Sequence, residues 1–297
     1  MRLRDVFLCG FVGVALACSS VDVGGGGPGV DGGEIPDGQV VVSGDAAPQD
    51  DAGKPAVTFK IQFDYRFDTK GFFSDTKRRA ALEGAARIWG TRIKTGFANV
   101  PKDTFILVRD PEHPKDPAQS FNIDYEIDDI VVFVGSSELG GGTLGLSSPT
   151  FGLSGVTNTS LASSLQARQK SVPFQPWTAW ISFDENSPWF FDDTADSSAA
   201  IPSAQMDFVS VALHELGHVL GFGTADPFKA LVVDGKFTGA KAVGAFGGPV
   251  PLVNGAHFPN DILGADRPLM DVSDALGTRY VPKPLDIAVF QDLGYTF

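Results

Sequence analysis

His214-Glu215-Leu216-Gly217-His218 sets two imidazoles and a carboxylate within little more than one helical turn. At about 100° per residue, His214 and His218 fall on one helical face with Glu215 beside them, so three polar tips converge. Imidazoles spaced i and i+4 can both reach a Zn2+ ion at about 2.0–2.1 Å without distorting the helix. With a third protein ligand and one open position, the metal brings the pKa of its water to about 7, and Glu215 is placed to take the proton. The resulting nucleophile and the polarised carbonyl suit peptide hydrolysis. Phe208, Val211, Ala212, Leu213, Leu216, Val219 and Leu220 make the segment apolar on most sides. Histidines buried in such a segment need polar partners, and a metal supplies them.

The third ligand must come from farther along. The compact pattern HExxHxxGxxH places a histidine where this chain has Thr224. No glutamate occurs from Val219 to Phe297, which excludes a downstream glutamate ligand. Asp226 and Asp234 are the nearest aspartates, and Asp226 precedes Pro227 in a sequence that reads as a tight turn. The sole downstream histidine is His257, in Gly255-Ala256-His257-Phe258, and Met270 follows in Pro268-Leu269-Met270-Asp271. The ligand is therefore His257 or an aspartate. Met270 is either an ordinary core methionine or a methionine turn beneath the metal.

Taken together, these residues resemble the metzincin zinc metalloproteases of the leishmanolysin-like type. There an insertion separates the HExxHxxGF helix from a third histidine, and a methionine turn follows. The resemblance implies His214, His218 and His257 as ligands of one catalytic zinc, Glu215 as general base, Gly221 as the turn below the metal and Met270 as the Met-turn. It also implies a protein or peptide substrate. Thr224 is the departure from the compact form of the motif. Tyr280 is a candidate for stabilising the oxyanion, because tyrosines after the Met-turn do so in some members. Ile181-Ser182-Phe183-Asp184-Glu185 with Trp189 is similar to the strand and loop that enter the zinc helix in matrixins. Leu139-Gly140-Gly141-Gly142-Thr143-Leu144-Gly145 falls where that superfamily has the edge strand that takes an extended substrate, and it reads equally as a glycine-rich loop.

The elements that must position these residues are legible as patterns. Val57, Phe59, Ile61, Phe63 and Tyr65 alternate with polar residues, as in a half-buried strand. A helix follows, capped by Ser74 or Asp75, with Leu82, Ala85, Ala86, Trp89 and Ile93 on its apolar face and Gly96 to end it. Strands are expected over residues 104–109, 130–134 and 179–183, with the zinc helix directly after the last. A final helix is expected over residues 285–293. This order gives an α+β, metzincin-like catalytic domain, a small twisted mixed sheet with two long helices, the Met-turn and a C-terminal helix, occupying residues 57–297.

The N-terminal part has another character. Met1-Arg2-Leu3-Arg4 is basic, residues 6–17 are an apolar run too short to span a bilayer, and Ala15-Leu16-Ala17-Cys18 resembles a bacterial lipobox. Residues 1–18 thus read as a signal peptide of lipoprotein type with Cys18 as the lipidated residue, plain secretion being the alternative. Residues 19–56 are rich in glycine, aspartate and proline and read as a disordered tether. The only cysteines are Cys9 and Cys18, so the catalytic domain has neither a disulfide nor a thiolate metal ligand. The formal net charge of -13 argues against a nucleic-acid partner. Asp184-Glu185-Asn186 and Asp192-Asp193 offer hard oxygen donors for Ca2+, although their spacing fits no EF-hand and suits solvated loops as well. The rival to an enzyme is a non-catalytic surface lipoprotein with a structural zinc. It would need a fourth protein ligand, for which His113 is the candidate.

Overall fold

A computed structural model of the chain describes residues 16–17, 58–155, 158–192, 200–260, 262–264 and 266–297. The expected signal peptide with its Cys18 anchor and the tether of residues 19–56 lie outside the described residues, apart from Leu16 and Ala17, which form strand β1 (Leu16–Ala17).

Strand β2 (Ile61–Asp64) is shorter than the alternation over residues 57–65 suggests. The amides of Thr58 and Phe59 instead donate to Gly90 O, and Thr58 Oγ1 donates to Ile93 O at 2.6 Å. These bonds satisfy the orphan carbonyls at the end of helix α1 (Thr76–Arg92), which therefore stops before Gly96. At its other end Asp75 accepts from the Lys77 and Arg78 amides, as an N-cap should. Leu82, Ala85, Ala86, Trp89 and Ile93 are all buried, as the helical spacing requires.

Strands β3 (Thr104–Val108) and β4 (Gln119–Ile123) lead into β5 (Ile130–Ser137), which is buried along its whole length. Next come β6 (Gly145–Thr150), β7 (Gly152–Leu153), helix α2 (Thr159–Ala167) and β8 (Thr178–Asp184). The main sheet has the order β1-β6-β8-β5-β2. Strands β2, β5 and β8 are parallel, while β6 runs antiparallel to β8. The segment expected as a strand over residues 104–109 does not join this sheet. It forms a second one, β4-β3-β7. On β5, Ile130, Val132 and Val134 face one core, and Val131 and Phe133 face another with Ile106, Val108, Trp177 and Trp180. A strand covered on both faces reads as an unbroken apolar run, which is the pattern of residues 130–134.

The zinc-motif helix does not follow β8 directly. Two short parallel strands, β9 (Trp189–Phe190) and β10 (Met206–Asp207), intervene. Helix α3 (Phe208–Val219) then begins at Asp207, whose side chain accepts from Ser210 N–H, and every residue of the helix is buried. The insertion between Gly221 and His257 folds as helix α4 (Asp226–Ala230), strands β11 (Val232–Val233) and β12 (Lys236–Phe237), helix α5 (Ala240–Phe246) and β13 (Val250–Pro251). Its three strands form one small antiparallel sheet. Phe228 and Phe258 each sit 5.0 Å from Phe222, ring centre to ring centre, so aromatic packing ties the insertion to the end of α3. Helix α6 (Pro284–Asp292) closes the domain against α5, with Phe290 packed on Trp89 of α1. The architecture is the expected α+β one, with α1 and α3 on one face of the main sheet and the second sheet on the other.

Candidate metal centre

His214 and His218 are one turn apart on α3, and their Nε2 atoms are 3.0 Å apart. His257 reaches the same point from the far side of the insertion, with its Nε2 3.0 Å from that of His218. Asn254 and Gly255 adopt left-handed backbone conformations, and the resulting turn lets Val253 and His257 exchange backbone hydrogen bonds at 2.8 and 3.2 Å. Phe258 N–H then donates to Met270 O at 2.8 Å, which fastens the strand carrying His257 to the Met270 turn.

The tautomers follow from the backbone. His214 Nδ1–H donates to Leu269 O at 2.9 Å, and His218 Nδ1–H donates to Phe222 O at 2.8 Å. Each Nε2 therefore presents a lone pair to the common point. Burial holds both imidazoles neutral, lowering His214 to about 3 and His218 to about 4, and it pushes His257 down as well. Three neutral imidazoles with their Nε2 atoms gathered at one point make a donor set for a cation. All three are buried, and their ligand atoms lie within 4.8 Å of one another. This donor set fits zinc, which binds three imidazoles in open sites.

Among the described residues, these three histidines are the one group of His, Cys, Asp or Glu side chains close enough to share a metal ion. Asp226 begins α4, and Asp234 is an exposed turn residue with φ 48°. Neither belongs to the group. His113 stands apart too, bonded to Asp110 Oδ2 at 3.0 Å with 59% of its side chain exposed. Thr224 closes the end of α3 instead, donating to His218 O at 2.5 Å.

Glu215 is fully buried, and its Oε2 accepts from Ser147 Oγ of β6 at 2.7 Å. Gly221 adopts φ 112°, and a β-carbon there would meet Phe174 Cδ1 at 2.8 Å, so the turn after α3 requires glycine on both counts. Met270 is fully buried against α3 at Gly217. Tyr280, the oxyanion candidate, accepts from Arg267 Nη1 at 3.1 Å and stacks under that guanidinium at 4.9 Å. Burial raises its hydroxyl pKa. Gly140, Gly141 and Gly142 all have positive φ, so residues 139–144 form a turn and strand β6 begins only at Gly145. In the acidic loops, Asp184 accepts from Leu139 N–H and Ser187 Oγ, Glu185 pairs with Lys70, and Asp192 pairs with Arg279.

Three supporting residues escape a reading of the sequence alone. Ser147 is one. Asp286, fully buried on α6, accepts from the amides of Leu269, Met270 and Lys283 at 2.8, 3.0 and 2.7 Å, and so fixes the turn whose Leu269 carbonyl orients His214. Asp207 receives two bonds from Arg279 and caps α3, tying the start of the helix to the segment after the Met270 turn. The one available signal is the position of Asp286 just after Pro284, where acidic residues favour helix starts.

Residues 166–234 match the family model for matrixins, a peptidase family. The matched stretch runs from the end of α2 through β8 and α3 into the insertion. It covers less than a quarter of the chain and ends before His257 and Met270. It supports a zinc metalloprotease of metzincin type acting on a peptide or protein. No curated protein matches the chain.

Proposed function

We propose that this chain is an extracytoplasmic zinc metalloendopeptidase of the leishmanolysin-like kind, hydrolysing peptide bonds in extended polypeptides. One observation carries the reading: His214, His218 and His257 turn their Nε2 atoms to one point, with Glu215 on the same helix as two of them. The separation of 39 positions between His218 and His257, with an insertion folded between them, favours the leishmanolysin-like arrangement over the compact motif. The three histidines would hold the zinc, which supplies Lewis acidity toward water and toward the peptide carbonyl.

Glu215 takes a proton from the attacking water as the new C–O bond forms. It returns that proton to the amide nitrogen as the C–N bond breaks. Burial of Glu215 beside β6 keeps bulk water from competing for this proton. Strand β6 lies next to the margin of the main sheet, and among the described residues its outer side pairs with the two residues of β1 alone. Its remaining outward backbone groups can accept an extended peptide by strand addition. Asp286 and the Leu269 carbonyl hold His214 in the orientation that ligation needs.

Export and attachment through Cys18 belong to this proposal and rest on the leader sequence. No helix among the described residues is long and apolar enough to cross a membrane. The reading as a closed structural zinc site is disfavoured because no fourth His, Cys, Asp or Glu joins the three histidines among the described residues. The decisive test is Glu215→Gln assayed on casein: cleavage should collapse while zinc content is retained, and undiminished cleavage with zinc bound would overturn the mechanism.

A further inference from the structure

Residues of β6 alternate between the two faces of the main sheet. Leu146 packs with the core under the second sheet, while Gly145 and Ser147 face α3 and meet Glu215. Ser147 is fully buried. A buried hydroxyl on a strand is costly unless it is hydrogen-bonded, and here both acceptors in reach belong to one residue: Glu215 Oε2 at 2.7 Å and Glu215 O at 3.1 Å. The hydroxyl thus ties the tip of the side chain and its backbone to one point on the edge strand. Gly145 shapes the adjoining wall, since a β-carbon there would come within 2.6 Å of Glu215 Oε1. A glutamate left untethered samples several rotamers, and a general base acts only from a narrow range of positions.

We propose that Ser147 is a positioning residue that clamps the Glu215 carboxylate through its hydroxyl and makes the substrate-edge strand part of the base's support. This rests on Glu215 serving as the general base, as proposed above. Ser147 itself touches no reacting atom.

The test uses the zinc-loaded full chain with fluorescein-labelled casein. Ser147→Ala should lower kcat about 10- to 100-fold with KM and zinc stoichiometry unchanged. Ser147→Thr and Ser147→Val control for packing, since they share a shape and differ in the hydroxyl: the threonine variant should retain most of kcat and the valine variant should lose it. In a Glu215→Asp background the shortened side chain cannot reach Ser147, so Ser147→Ala should cost nothing further. The clamp is overturned by a kcat within twofold of wild type for Ser147→Ala, by equal losses in the threonine and valine variants, or by an additive loss in the Glu215→Asp background. Failure of the general-base reading shows separately, as undiminished cleavage by Glu215→Gln with Ser147 intact.

Discussion

Met270 lies so close against Gly217 that no β-carbon fits between them: its Sδ and Cε occupy the space a side chain at position 217 would need. The glycine in the middle of the histidine motif is therefore a contact surface. It lets the Met270 turn approach α3, and the same turn supplies the Leu269 carbonyl that holds His214. Helix and turn are fitted at the one residue of the motif that has no side chain.

Gly217→Ala accordingly pits two effects against each other. In an ordinary helix interior the change stabilises by about 1 kcal/mol. Here overpacking against a buried sulfur should cost about 1–3 kcal/mol beyond that gain. Melting of the zinc-loaded protein should fall by about 2–4 °C per kcal/mol lost. Adding Met270→Ala should recover part of the loss, because the two sites are in contact. A higher melting temperature for the single variant would show that the fit is loose.

Gly145→Ala should behave in the opposite way. The added β-carbon meets Glu215 at Oε1, Cδ and Cγ, the far end of a flexible side chain, at 2.6, 2.7 and 2.7 Å. Such a side chain can swing aside without moving the backbone, at the loss of its bond to Ser147, and it then leaves the position from which it works. A displacement of about 1 Å can cost on the order of 100-fold in rate. Casein cleavage should drop steeply while the unfolding temperature stays within a few degrees of wild type. A parallel loss of both would assign Gly145 to the core instead.

What the sequence makes legible is local. The histidine pair and Glu215 stand out because helical spacing brings residues four apart together, and the capping of α1 by Asp75 follows from residue type. Elimination leaves His257 beside the aspartates, and only the family resemblance selects it, because it lies 39 positions from His218 and no short-range pattern links them. Ser147 looks like any strand serine until its partner, 68 residues away, is known. Asp286 looks like any aspartate at a helix start until Leu269 and Met270 fold back onto it. The same limit applies to the strand at Thr104–Val108: its alternation specifies a two-sided strand and says nothing of which sheet it joins. The end of α1 is ambiguous for a related reason. Ile93 is buried whether the backbone there is helical or, as observed, extended.

His113 provides a test of the closed-site alternative. Its hydrogen bond to Asp110, reinforced by the charge of that carboxylate, raises its pKa above the ordinary histidine value. The protonated form gains a partner on folding, so the pair's contribution is fully present below about pH 6.5 and fades as pH rises through the higher folded value. Because the side chain is exposed, that contribution to stability is small, and NMR titration is the better readout. The His113 resonance should titrate above a free histidine, fall toward it in Asp110→Asn, and ignore added zinc. A zinc-dependent fall would place His113 among the ligands.

Metal removal tests the centre itself. Zinc held by the three histidines should stabilise the fold by about 4 kcal/mol when present at a thousand times its Kd. Chelation should lower the melting temperature by about 8–16 °C on that basis. His257→Ala separates the candidates for third ligand. If a binding free energy of about 10–16 kcal/mol is shared over four ligands, losing one weakens affinity by at least about 100-fold. The alanine variant should gain little stability from added zinc. A lost zinc response distinguishes a ligand from a core residue, whose removal would weaken both forms alike and leave the response intact. Asp226→Asn and Asp234→Asn should leave the zinc response intact. If either abolished it while His257→Ala did not, the coordination sphere would have to be redrawn around an aspartate.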